Sequence, residues 1–208
     1  MPQTAPAIIL ASGSAVRANL MRGAHIPFEI VPADIDESIL KRELEASPAA
    51  EEEHGAGPAI ASALARAKAE IVSATHPDAL VIGADQVMTL GKTCYDKPKD
   101  MKEARTRLQQ FRGKPHLLHG GVALAQGGQT IWDFYQPSHL TMRNFSDAFL
   151  DHYLETAGED ILKSVGAYQL ESIGAQLFEK IDSDYFSILG LPLLPLMAEL
   201  RRVGALVE

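Results

Sequence analysis

Ala79-Leu80-Val81-Ile82-Gly83-Ala84-Asp85-Gln86, residues 79–86, is an apolar run that ends in a glycine and an acid. A short continuous apolar run of this kind is the pattern of a strand buried on both faces, as in a sheet covered by helices. A carboxylate at the mouth of such a strand sits where α/β proteins place their chemistry. Further on, Lys97 stands directly before Pro98, whose ring stiffens the backbone. One acid able to hold a metal or a water, with one cation for a phosphate, is the minimum needed for phosphate chemistry.

The segments on either side extend the same pattern. Ala7–Leu10 reads as a buried first strand, broken by Ser12-Gly13-Ser14, with a helix to follow through Met21 and a stop at Gly23. Phe28–Val31 alternates as a second strand ended by Pro32. Residues 43–58, rich in Glu, Ala, Gly and Pro without apolar period, predict a mobile acidic surface loop. Ile60, Leu64, Ala67 and Ile71 recur at helical spacing and predict a core-facing stripe with Lys68 at its edge. The strand Ala79–Leu90 is expected to break around Gly83. A helix with Met101, Ala104, Leu108 and Phe111 on one face closes at Gly113. Two long strands, His116–Ala125 and Thr130–Met142, then meet in a Gln126-Gly127-Gly128-Gln129 hairpin. A helix over Phe145–Thr156, a short strand over Leu177–Ile181 and a final helix from Pro192 complete a mixed α/β sheet flanked by helices.

Composition narrows the function classes. The formal net charge of −8 argues against nonspecific nucleic-acid binding, which needs a broad basic field. Apolar stretches are interrupted well before ~20 residues, so no membrane span is expected. Met1–Pro6 lacks the basic and apolar regions of a signal peptide. Cys94 is the only cysteine, which excludes an internal disulfide and a cysteine-rich zinc site and makes a reducing cytoplasm the expected setting. The seven histidines show no ligand spacing, and neither a nucleophile elbow nor a Walker-type loop occurs. Trp132, Phe134 and Tyr135 read as strand packing, and Asp182 and Asp184 as turn formers.

Ser12-Gly13-Ser14-Ala15-Val16-Arg17 joins a strand to a helix start, where free N–H groups favour an anion and Arg17 adds a planar cation. Taken alone, Ser14 reads first as a helix cap and Arg17 as a solvated charge, since caps are far commoner than sites. Asp34-Ile35-Asp36-Glu37 offers hard oxygen ligands suited to magnesium or manganese, with Glu37 the metal-facing choice, or a solvated acidic helix start. Lys68 either reaches a cleft or snorkels along the surface. The loop Gly166–Gly174 can present Glu171 to a nucleobase edge, or is a plain surface loop.

In chain order these segments resemble the Maf (septum-formation) family of nucleoside triphosphate pyrophosphatases. The matching stretches are Leu10-Ala-Ser-Gly-Ser-x-x-Arg17, Ile35-Asp-Glu37, Leu64-Ala-Arg-Ala-Lys68, Ile82-Gly-Ala-Asp85, Lys97-Pro98, Gly166-Ala-Tyr168 and Leu189-Gly-Leu-Pro192. The resemblance implies one domain over 1–208 with two lobes around a deep cleft, often dimeric. It also implies hydrolysis of a nucleoside triphosphate to monophosphate and pyrophosphate with magnesium or manganese. Asp85 matches the family's catalytic acid, and Arg17, Glu37, Lys68 and Lys97 match its other cleft residues. Ser12 and Ser14 fall in the same anion-binding stretch.

Three positions depart from the dTTP/UTP branch, which has Ser-Pro-Arg-Arg at Ser14–Arg17, Thr at Gln86 and Gln at Glu171. Gln86 and Glu171 resemble the branch that acts on 7-methyl-GTP. A guanine edge offers N1–H and N2–H donors, and an ionised Glu171 is an acceptor pair. Ser172 and Ser183 replace glycines common in the family. A dTTP/UTP pyrophosphatase and a non-catalytic nucleotide-binding regulator of cell division are the competing readings.

Overall fold

The computed structural model describes residues 6–207; the expectation of no leader at Met1–Pro6 falls on residues 1–5, outside that range. Strands β1 (Ile8–Leu10), β2 (Glu29–Ile30), β3 (Leu80–Leu90), β4 (Thr93–Tyr95), β5 (Pro115–Gln126), β6 (Gln129–Met142) and β7 (Phe178–Asp182) form a mixed sheet. Its order is β2-β1-β3-β5-β6-β7, with β4 paired on β3. The β2-β1-β3 part is parallel, and every other pairing is antiparallel. Helices α1 (Ala15–Gly23), α2 (Glu37–Glu45), α3 (Gly57–Thr75), α4 (Met101–Phe111), α5 (Asp147–Ala157), α6 (Tyr185–Ile188) and α7 (Leu193–Arg202) complete the chain.

Strand alternation sorts the core into two layers. On one face Leu10, Ile82, Val122 and Leu124 pack against Met21 of α1 and Leu196 and Leu200 of α7. Further along that face Met88, Leu118 and Leu140 meet Leu108 and Phe111 of α4 and Leu150 and Tyr153 of α5. The opposite face, with Val81, Val87, Ala123 and Ala125, is covered by α3, against which α2 lays Leu40 and Leu44. Burying a side chain of this size contributes about 1.5–3 kcal/mol, so these layers hold the sheet rigid beneath the site.

Three expectations are corrected. Strand β3 runs unbroken through Gly83. The glycine is there for helix packing: a Cβ on it would fall 2.1 Å from the Ala65 carbonyl oxygen of α3, and one on Gly121 would fall 2.4 Å from that of Ala61. So close an approach admits only small residues. The buried side of α3 is therefore Ile60, Ala61, Leu64, Ala65, Ala69 and Val72, and Ile71, expected in the stripe, is 45% exposed. Residues 43–58 are not a plain loop: they hold the end of α2, a 3₁₀ turn at Pro48–Glu51 and the start of α3. Ser47 caps that turn, and its hydroxyl also donates to Leu44 O. No described helix is long and apolar enough to cross a membrane.

Candidate active site

The parallel and antiparallel halves of the sheet leave a gap along one edge of β3. β1 pairs with residues 80–82 and β4 with residues 88–90, while β5 holds the other edge throughout. Among the described residues no strand lies beside the edge at residues 83–87, and Asp85 lies at its centre. Asp85 is thus not at the mouth of its strand, as the sequence suggested, but in mid-strand, just beyond the last residue paired with β1. A cleft of about 1010 Å³ opens here. Because the edge is free, neighbouring residues that point to opposite sheet faces, Asp85 and Gln86, both line it.

Arg17 fills part of the missing pairing. Its Nη1 donates to Ala84 O at 2.8 Å and to Ser12 Oγ at 3.1 Å, and its Nε donates to Gly190 O at 2.8 Å. Gly190 has φ of +93°, and a Cβ there would sit 3.4 Å from Arg17 Nε, so glycine suits both backbone and neighbour. Three of the five guanidinium donors are committed to protein, which leaves Nη2 for a ligand. Burial lowers the Arg17 pKa from its ordinary range, with Asp85 and Glu37 opposing. Ser14 caps α1, accepting from Arg17 N, and its own N–H donates to the buried Ser12 Oγ. Both serines line the cleft, yet their observed bonds shape the turn and orient Arg17.

On the other side of β3, Lys68 Nζ lies 2.5 Å from Asp85 Oδ1 and 2.7 Å from Glu37 Oε1. The Lys68 and Asp85 side chains are each only 11% exposed, so Lys68 points into the cleft and does not snorkel. Glu37 opens α2 immediately after the capping Asp36. Burial works to raise its carboxyl, but Lys68 and Lys41 together outweigh it and hold Glu37 below the usual glutamate range. Gln86 Nε2 donates to Ser187 O at 3.0 Å and Ile188 O at 3.2 Å. Both partners are acceptors, so the amide nitrogen must face them, and a ligand can meet Gln86 only through Oε1. Lys97 and Glu171, both exposed, stand on loops that line the same cleft. All nine residues singled out from the sequence therefore converge.

A family model described as Maf-like protein matches residues 7–203. The chain belongs to the Maf family. A protein of Maricaulis maris (strain MCS10) named nucleoside triphosphate pyrophosphatase is 52% identical over 201 residues, 96% of this chain and 98% of that one. Proteins named 7-methyl-GTP pyrophosphatase are similar too. That of Brucella suis biovar 1 (strain 1330) is 48% identical over 94% of this chain and 95% of its own length. That of Rhizobium meliloti (strain 1021) is 47% identical over 97% and 98%.

Sequence reasoning missed Lys41, and with it Asp96, Asp160 and Lys163, which also line the cleft of this Maf protein. Lys41 Nζ lies 3.6 Å from Glu37 Oε2 and 2.9 Å from Asp96 Oδ1. Burial works to lower its pKa, but the bond to Asp96 and the charges of Asp96 and Glu37 outweigh that and raise it. The signal was present: Lys41 follows Glu37 at i+4 on a helix, a spacing usually dismissed as a surface pair. The result is an alternating row, Asp85–Lys68–Glu37–Lys41–Asp96, that runs from mid-sheet to the loop carrying Lys97. The loop around Glu171 is equally anchored. Tyr153 Oη donates to Ala167 O at 2.9 Å, and the Tyr168 hydroxyl pairs with His116 Nε2 at 2.9 Å.

Proposed function

We propose that this protein hydrolyses a nucleoside triphosphate to the monophosphate and pyrophosphate, with a 7-methyl-GTP-like nucleotide as the preferred substrate. The observation that carries the reading is the meeting of Arg17, Glu37, Lys68 and Asp85 at the open edge of β3. The names of the similar proteins support both the reaction and the base.

In this reading Asp85 accepts the proton of a water whose oxygen bonds to the α-phosphorus. The bond from that phosphorus to the bridging oxygen breaks, and pyrophosphate leaves. Arg17, Lys68 and Lys97 neutralise the charge that grows on the phosphoryl and leaving oxygens. Glu171 accepts from the guanine N1–H and N2–H groups, with Gln86 Oε1 as a further acceptor.

Glu37 and Asp85 fit a divalent magnesium or manganese ion: both supply hard oxygens, and they already share one cation, the Lys68 ammonium. No group of three or more His, Cys, Asp or Glu converges among the described residues, which suits an ion that takes one or two carboxylates with phosphate and water. Such an ion, when bound, would acidify a water and neutralise phosphate oxygens. A single domain over 1–208, a homodimer and a reducing cytoplasm belong to the same proposal; the lone Cys94 supports the last.

The test is a panel of canonical and 7-methylated nucleoside triphosphates with magnesium or manganese, scored for pyrophosphate release. The reading expects the highest kcat/KM for 7-methyl-GTP. A preference for dTTP or UTP would reassign the base, and binding without release from any member would favour the regulator.

A further inference from the structure

Arg107 is 5% exposed, lies outside the cleft, and has no part in the chemistry above. From α4 its Nη1 donates to the carbonyls of two distant residues, Asp96 and Val165, the latter at 2.6 Å. Its Nη2 donates to Glu103 Oε1 at 2.9 Å, and its guanidinium lies 5.3 Å from the Tyr95 ring centre. Glu103 in turn accepts from Lys99 N at 3.0 Å. Asp96 and Lys99 flank Lys97, and Val165 leads into the loop that carries Glu171.

We infer that Arg107 is a positioning residue that fixes the spacing between the two loops carrying Lys97 and Glu171. Burying a guanidinium is costly, and an apolar side chain of similar volume would serve packing as well or better. What an apolar residue does not supply is donors for carbonyls on two separate segments. Tyr153 and His116 fasten the Glu171 loop to α5 and β5, and Lys41 fastens Asp96 to α2. Among the described residues Arg107 hydrogen-bonds both loops and so joins one to the other. A cation for the phosphates and an acceptor for the base must be set a fixed distance apart if one nucleotide is to reach both. A misplacement of about 1 Å costs on the order of 100-fold in rate. This inference rests on the roles proposed above for Lys97 and Glu171.

Arg107→Met and Arg107→Lys test it, the second keeping the buried charge should the first fail to fold. In both, amide hydrogen exchange is expected to quicken together at residues 96–99 and 164–171. kcat/KM should fall about 10- to 100-fold, and the ratio of kcat/KM between two nucleotides that differ only in base should narrow. A purely structural role would lower Tm and leave that ratio unchanged, and this result overturns the inference. So does exchange that quickens at one loop alone or at neither. Should the wild-type protein release pyrophosphate from no nucleotide, the proposed function fails, and the paired exchange of the two loops still decides whether Arg107 couples them.

Discussion

Lys68 Nζ lies 2.5 Å from Asp85 Oδ1, and the two side chains are almost wholly withdrawn from water. The same ammonium holds Glu37. Removing it leaves two carboxylates facing each other across a partly desolvated cleft. Lys68→Met should therefore cost about 3 kcal/mol of stability, read as a lower denaturation midpoint at pH 7. The double variant Lys68→Met with Asp85→Asn should recover part of that loss. An unchanged midpoint in the single variant would show that the pair is screened by solvent.

Asp85→Asn keeps the shape of the side chain and removes the proton acceptor. Turnover should fall by roughly 10²–10⁴-fold, with the circular dichroism of wild type and a Tm loss smaller than that of Lys68→Met, because Lys68 keeps Glu37 as its partner. Activity near wild type would transfer the base role elsewhere in the cleft.

Arg17→Lys keeps the charge and loses the fork. One ammonium cannot replace the bonds that Nε and Nη1 make to Gly190, Ala84 and Ser12. A fall in kcat/KM of about 100-fold is expected, with KM rising as the phosphate grip weakens. Equal kinetics would show that only charge matters at this position.

Glu171→Gln replaces one acceptor oxygen with a donor. Preference should move away from guanine nucleotides by about 10-fold or more in relative kcat/KM. Competition between 7-methyl-GTP and UTP in one reaction gives the ratio directly.

Acid should weaken the fold through two buried histidines. Burial depresses His116 from 6.5 to about 4, and His119 likewise from 6.5 to about 4, with His54 and His139 adding to the second. A histidine lowered in the folded state binds its proton more readily when unfolded. Its stabilising contribution is therefore full above pH 6.5 and is lost as pH falls toward 4. Between pH 7 and pH 5 each histidine should remove about 2 kcal/mol. Urea midpoints at the two pH values check this, and His116→Phe should reduce the slope.

What the sequence revealed depended on how local the cause was. The run at residues 79–82, the glycines at the hairpin and the stop at Gly113 act within a few residues, and the structure places those elements where they were expected. The stripe on α3 failed because its cause is remote: Gly83 and Gly121 draw the helix so close that alanines fit and Ile71 does not. Lys41 was passed over because a single helix shows only its pairing with Glu37, whereas Asp96 meets it from another part of the chain. Asp85 was found for a reason that was partly wrong, since the gap between β1 and β4 depends on two pairings no local pattern reveals. The committed donors of Gln86 were likewise invisible until Ser187 and Ile188 were seen beside it.

The unpaired stretch of β3 has a cost of its own. Bare backbone on a flat strand is where a second polypeptide would dock and begin to polymerise. Here a guanidinium from the first helix covers one of those carbonyls while leaving room for a small anion. Guarding against aggregation and admitting a ligand thus fall to one side chain, and a chain stripped of it would be expected to turn sticky as well as idle.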